Sequence, residues 1–242
     1  MIPLTGLPEL EEGDDLAGLL AEAGVRAGGL EDGDVIVVAQ KAVSKVEGRI
    51  VRLEGIEPSA RAIELAGEEG DPRQVEVILR ETVEIVRSRP PLVISRTSHG
   101  FVCASAGVDA SNAKGPATVV LLPLDPDASA AGLRDRLAAL TGVAPGVIVS
   151  DSFGRAWRQG TTDVALGVAG ITAIRDLRGT RDSQGYELHS TMIAVADEIA
   201  GAAELVMGKA NGVPAAIVRG VDAPGNGLAA DIVMPRERDL FR

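Results

Sequence analysis

The chain has 242 residues, 45% of them hydrophobic, enough for a sizeable core in one large domain or two small ones. A formal net charge of −11 excludes the basic stripe of a nucleic-acid binder, so any phosphate or carboxylate ligand must meet local lysines, arginines or divalent cations. Aromatic residues are only 2%, which leaves Val, Ile, Leu and Ala to build the core, and the single cysteine, Cys103, excludes an internal disulfide and a multi-cysteine zinc site.

Met1-Ile2-Pro3-Leu4 has neither a charged n-region nor an apolar h-region, so no signal peptide is expected. No apolar run approaches the ~20 residues that span a bilayer, so no membrane partner and a cytoplasmic location are expected. Residues 3–10 hold two prolines and a glycine and read as a loop or an extended entry, not a helix. Asp14 is placed to cap a helix with Leu16, Leu19, Leu20 and Ala23 on one face. Asp32-Gly33-Asp34 reads as a turn, and Val35–Ala39 as a buried strand. Residues 58–66 read as a helix. Asp71-Pro72 starts another, with Val75, Ile78, Leu79 and Val86 on its face and Pro90-Pro91 at its end. Residues 92–95 and 101–105 read as strands joined by a turn at Ser98-His99-Gly100, and Cys103 as a buried, inert thiol. Residues 117–122 form another strand. Asp127 caps a helix through Leu133, Leu137 and Leu140, stopped by Gly142. Residues 147–150 are a strand with Asp151 at its end. Residues 164–174 give one or two strands and 175–184 a charged loop. A helix covers 192–207 with Val195, Ile199, Ala202 and Val206 inward and Asp197 and Glu204 outward. Residues 208–212 are a loop and 214–219 a last strand. Several strands follow one another directly, so the fold class is α+β, a mixed α/β arrangement with a largely antiparallel or mixed sheet. No linker marks a boundary, and 1–242 reads as one domain.

Several familiar signatures fail. Gly208-Lys209-Ala210 is no P-loop, because Ala203 stands for the first glycine and Ala210 for the Mg²⁺-binding hydroxyl. Gly225-Asn226-Gly227 has too little chain after it for a dinucleotide-binding unit and reads as a surface turn. His99 and His189 match no metal-pair spacing, and His99 reads as a solvated turn residue.

Other residues could carry chemistry. Asp109 and Asn112 follow a strand, where a carboxylate binds a hard cation and an amide donates to phosphate or a base. Asp151 and Ser152 give a second carboxylate and a hydroxyl. Each Asp could equally be a turn former or helix cap. Lys45, with Ser44 beside it, could neutralise a polyphosphate or simply be solvated. Arg155, Trp157 and Arg158 could clamp an anionic aromatic substrate. Equally, Trp157 could fill core while the arginines pair with Asp163 or Asp176.

Taken in order along nearly the whole chain, Gly6-Leu7-Pro8-Glu9, the run from Asp34 to Val43-Ser44-Lys45, Glu47-Gly48-Arg49, residues 106–112, Leu122-Pro123-Leu124-Asp125-Pro126-Asp127, Asp151-Ser152-Phe153-Gly154-Arg155, Val195-Ala196-Asp197-Glu198-Ile199 and Val218-Arg219-Gly220 resemble the coenzyme F420-0:L-glutamate ligase family. The resemblance implies the family's unusual α/β fold and a homodimer. It implies GTP-dependent addition of L-glutamate to coenzyme F420-0, and of further γ-linked glutamates, with Mg²⁺ or Mn²⁺, two per site, and K⁺ as a helper. It assigns Asp109 and Asp151 to one divalent cation and Ser152 to a second. It assigns Leu7, Pro8, Glu9, Leu10, Gln40, Lys45, Asn112, Met207, Gly208, Lys209, Ala210, Asn211, Gly212, Val213 and Pro214 to GTP, with Lys45 stabilising phosphate and no residue acting as nucleophile. It also implies the ligase part alone, without the reductase-like C-terminal domain of some relatives. Gln40 stands where the family commonly has Ser, Ser152 where it has Thr, and Lys209 where some members carry an acid or amide near the second cation. A relative that binds nucleotide and metal without catalysis, or that joins a different acceptor, is the alternative.

Overall fold

The computed structural model describes residues 1–113, 115 and 117–241; Lys114, Pro116 and Arg242, the end of the span read as one domain, lie outside the described residues. Strand β1 (Ile2–Leu4) leads through a loop to helix α1 (Leu16–Arg26). Asp15 caps α1 by accepting from the Gly18 N–H, whereas Asp14, the expected cap, accepts from Glu11 N–H in the preceding turn. Strand β2 (Val35–Ala39) runs straight into helix α2 (Gln40–Val46). Then come β3 (Ile50–Arg52), α3 (Ala60–Ala66) and α4 (Pro72–Arg80).

Helix α4 stops at Arg80, earlier than the periodicity predicts. The next segment, Thr-Val-Glu-Ile-Val, is dense in β-branched residues and forms β4 (Thr82–Arg89), so Val86 is a strand residue. It pairs antiparallel with β5 (Leu92–Thr97), which pairs in turn with β6 (Val102–Ala104). Strand β7 (Thr118–Val120) pairs with β3. Helix α5 (Pro126–Thr141) is capped by Asp125, not Asp127. The Asp127 carboxylate reaches instead to the N–H groups of Val168 and Ala229. Only Leu137 of the three expected core leucines is fully buried, and Leu140 is exposed. The chain ends with β8 (Gly146–Arg155), β9 (Arg158–Ala169), β10 (Arg175–Asp176), β11 (Met192–Ile193), α6 (Val195–Met207) and β12 (Ala215–Val218). Asp197 of α6 does not face outward; its carboxylate accepts from the Ala165 N–H.

The main sheet has the order β1-β12-β2-β8-β9, and only the β2–β8 contact is parallel. Side chains alternate across it. Ile36, Val38, Val147 and Val149 pack on one face with Leu16, Leu20 and Leu137 of α1 and α5. Val35, Val37 and Ile148 pack on the other with Ile199 and Ala203 of α6. Burial on both faces explains why residues 35–39 are apolar without interruption. Each large aliphatic side chain buried here contributes roughly 1.5–3 kcal/mol. A third cluster, including Leu65, Val75, Ile78, Val93 and Val119, joins α3 and α4 to β5 and β7. No helix among the described residues is long and apolar enough to cross a membrane.

One ion pair ties the ends of β2 and β12. The Arg219 guanidinium donates to both Asp34 carboxylate oxygens at 2.8 Å, and also to Glu31 and the Gly29 carbonyl. Burial pushes the Asp34 carboxyl up, but the Arg219 guanidinium and the Glu31 N–H outweigh that and hold it below the usual carboxylate range. Arg219→Ala leaves Asp34 buried without its counter-charge, so urea unfolding at pH 7 should show a loss of about 3 kcal/mol. A carboxyl held low contributes stability above its unfolded pKa and loses it as pH falls through the folded value. The gap between wild type and variant therefore closes below about pH 4.

Candidate active site

A cavity of about 400 Å³ opens where the parallel strands β2 and β8 part. The β2 ladder ends at Ala39 opposite Ser150, and β8 runs on alone with β9 through Asp151 and Ser152. Asp151 is therefore at the end of the parallel pairing, although β8 itself continues to Arg155. Open sheets commonly present ligand-binding groups at such carboxyl ends.

Segments distant in sequence converge on this cavity. Leu7, Pro8, Glu9 and Leu10 line it from the loop after β1, and Gln40 and Lys45 from α2. Asp151 and Ser152 line it from β8, and Met207, Gly208, Lys209, Ala210, Gly212, Val213 and Pro214 from the end of α6 and the loop beyond. Asn112, held at φ 55, completes the rim. Two residues singled out in the sequence do not line it. Asn211 packs over Gly208, whose φ of 62 degrees favours glycine. Asp109 stands behind two lining lysines.

Asp109 is reached through a strained turn. Ser105, Ala106 and Gly107 all have positive φ, at 53, 50 and 74 degrees, and a Cβ on Gly107 would meet Leu122 at 2.6 Å. Left-handed non-glycine residues cost about 1–2 kcal/mol each and cluster at functional sites. The Asp109 backbone then locks to Val120 through two hydrogen bonds. Its carboxylate takes the Lys41 ammonium at 2.6 Å, with Lys209 at 3.7 Å. Burial pushes this carboxyl up, yet the Lys41 ammonium and the Ser111 N–H hold it below the usual range. Lys41 also donates to the Ser111 carbonyl and hydroxyl.

Lys45 is not a solvated loop lysine. It is buried on α2, and its ammonium pairs with Glu9 at the cavity rim. Beside it the Gln40 amide oxygen accepts from Ser44 at 2.9 Å, while the buried Gln40 amide nitrogen has no partner among the described residues. A donor left this way beside a cavity is suited to an acceptor atom of a ligand.

Opposite the lysines the cavity is acidic. Burial, reinforced by the nearby Asp163 charge, pushes the Asp151 carboxyl up to about 6 against the Ser152 N–H and the lysine charges. Burial and Asp163 also raise Glu204, which lines the cavity, while Lys209 opposes them. Asp163 accepts from Ser150 at 2.8 Å and Ser152 at 2.7 Å. Neither Asp163 nor Lys41 stands out in the sequence. Lys41 shared a run with Lys45, and Asp163 becomes visible only once β8 and β9 are in register.

The oxygen-only donors Asp151 and Ser152, in a patch where like charges crowd, fit a hard cation such as Mg²⁺ or Mn²⁺. No group of three or more His, Cys, Asp or Glu among the described residues is gathered to hold a metal alone. Such a cation would take its remaining ligands from water or phosphate, as Mg²⁺ commonly does.

The remaining candidates lie elsewhere. Trp157 fills no core: it is 81% exposed at the β8–β9 turn, its ring 4.9 Å from that of Phe241. Asp176 pairs with Arg178, and Asp163 binds the two serines. His99 is not solvated but lies against the Pro123 and Leu124 carbonyls and stacks on Phe101. Burial, with the Asp151 charge, pushes the Cys103 thiol up to about 12, so it is inert.

The class is thus a mixed-sheet α+β protein with one cavity where lysines, carboxylates and hydroxyls face each other. The model of the F420-0:gamma-glutamyl ligase family matches residues 6–220. The chain is 48% identical over 217 residues to the coenzyme F420:L-glutamate ligase of Methanocaldococcus jannaschii, covering 88% of this chain and 86% of that one. It is 47% identical over 252 residues to the enzyme of the same name from Methanothermobacter thermautotrophicus, covering 100% and 98%. For that of Archaeoglobus fulgidus the figures are 44% over 244 residues, covering 100% and 96%. The chain belongs to the F420-0:gamma-glutamyl ligase family and is a ligase.

Proposed function

We propose that this chain adds L-glutamate to coenzyme F420-0, and then further γ-linked glutamates, at the expense of GTP. The observation that carries the reading is the convergence of four sequence-distant segments, 7–10, 40–45, 151–152 and 207–214, on one cavity. Its volume lies within the ~300–1,000 Å³ typical of small-molecule sites.

A carboxylate must be activated before an amine can displace one of its oxygens. In this reading the acceptor's carboxylate oxygen attacks the γ-phosphorus, the bond to the bridging oxygen breaks, and GDP leaves. The glutamate amine then attacks the acyl carbon, loses a proton, and phosphate leaves. Negative charge gathers on the transferring group, and positioning with electrostatics supplies the catalysis. Lys45 and Lys41, which line the cavity, would meet phosphate oxygens once they release Glu9 and Asp109. Gln40 offers its free N–H₂. Asp151 and Ser152, with Asp109, would hold Mg²⁺ or Mn²⁺, two per site, which would neutralise phosphate charge. A homodimer and a K⁺ requirement belong to the same reading.

An acyl phosphate leaves an isotopic trace. When the acceptor carboxylate carries heavy oxygen, the released phosphate should gain one labelled atom per turnover, read by mass spectrometry. Unlabelled phosphate alongside amide formation would remove the intermediate from the mechanism.

A further inference from the structure

Asp163 is the most thoroughly engaged residue at the cavity that the mechanism above does not use. It is 4% exposed, and Ser150 beside it is 1% exposed. In the β8–β9 ladder Asp163 stands directly opposite Ser152, so the two side chains share a face, and Ser150 follows on that face two residues earlier. From Ser150 to Ser152 the pairing is regular, with Ser150 opposite Ala165, so both serines stand on the face of Asp163 and the same carboxylate reaches both. One carboxylate oxygen takes each hydroxyl, at 2.8 and 2.7 Å.

The chemistry of these groups fixes the direction of every hydrogen. A carboxylate offers acceptors only, and a serine hydroxyl has one hydrogen and two lone pairs. Both serine hydrogens therefore point at Asp163, and the lone pairs of both oxygens are left over. Both serines line the cavity. A freely rotating hydroxyl could turn its hydrogen toward a cation, where it would be repelled; these two are held from doing so.

We propose that Asp163 is a positioning residue that aims the lone pairs of Ser150 and Ser152 into the cavity, making both hydroxyls oxygen ligands for a hard divalent cation. This rests on the cation reading of the site and adds Ser150 to its ligand set. In Asp163→Asn the amide N–H₂ must face at least one serine. That hydroxyl then accepts rather than donates, and its hydrogen turns toward the cavity.

The test uses Mn²⁺ alone as the probe, titrated into the full chain and followed by paramagnetic resonance, without nucleotide or turnover. Asp163→Asn should raise the Mn²⁺ dissociation constant by about 10–100-fold, as loss of a ligand-orienting group does. Asp163→Ala leaves a hole beside both serines, and added formate, an acceptor-only carboxylate, should restore most of the lost affinity. Formamide, which carries an N–H₂, should not. Mn²⁺ binding as tight in both variants as in wild type overturns the proposal. So does failure of both variants to fold, which assigns Asp163 to the core. If wild-type protein binds no Mn²⁺, the cation reading of the cavity falls first.

Discussion

Asp151→Asn is expected to reduce glutamate addition at least a thousandfold while making the metal-free protein more stable, not less. The activity loss follows from removing a charge that would hold the cation against the phosphates. The gain in stability follows from burial. The Asp151 carboxyl is pushed from 3.8 up to about 6, so its ionised form is disfavoured in the folded state. That difference is on the order of 3 kcal/mol against the metal-free fold at pH 7. A raised carboxyl binds its proton more tightly folded than unfolded. Stability of the metal-free wild type should therefore rise as pH falls from 7 toward 5, and Asp151→Asn should lack this rise. Thermal melting of both proteins at the two pH values, with chelator present, reads it directly. A variant less stable than wild type at pH 7 would mark Asp151 as structural. Sites that hold substrate charge commonly carry this kind of cost to stability.

The second large effect is expected at Lys45. Its ammonium is buried and paired with Glu9, so Lys45→Met changes the cavity twice. It removes one positive charge and leaves the Glu9 carboxylate facing the same space. Both changes repel a polyphosphate. Turnover should fall by about 10²–10³ and the KM for GTP should rise. Lys45→Met combined with Glu9→Gln should recover part of the KM effect but little of the turnover. Full recovery in the double variant would mean that Lys45 serves only to neutralise Glu9.

The legible parts of the sequence are those where one local pattern admits one structure. Residues 35–39 read as a buried strand and are one, and Asp71-Pro72 and Gly142 mark their helix ends as expected. Val75, Ile78, Leu79 and Val86 fit a helical face as well as they fit a helix followed by a strand, so spacing alone does not place Val86. The run of β-branched residues from Thr82 was the better guide. Neighbouring aspartates defeated the cap assignments: Asp14 and Asp15, or Asp125 and Asp127, are equivalent as residue types, and only their hydrogen bonds tell them apart.

The same distinction runs through the site. Lys45 and Asp151 carry recognisable neighbours, so sequence alone could single them out. Lys41 acquires its meaning from a helix that begins at Gln40 and from a turn at 105–107 that brings Asp109 to it. Asp163 acquires its meaning from a hairpin register, shifted at Ser150, that no local motif encodes. Trp157 looked like a core or stacking residue by type, but a hairpin tip at φ 58 holds it out in solvent.

In the proposed reaction this cavity joins glutamate to coenzyme F420-0 with GTP as the driving force. The most direct measurement mixes the full chain with GTP, Mn²⁺, L-glutamate and coenzyme F420-0, and follows GDP release and acceptor mass together. One glutamyl residue gained per GDP released is expected, with no GDP when either glutamate or acceptor is left out. GDP release that ignores both, or an acceptor whose mass never changes, would contradict it.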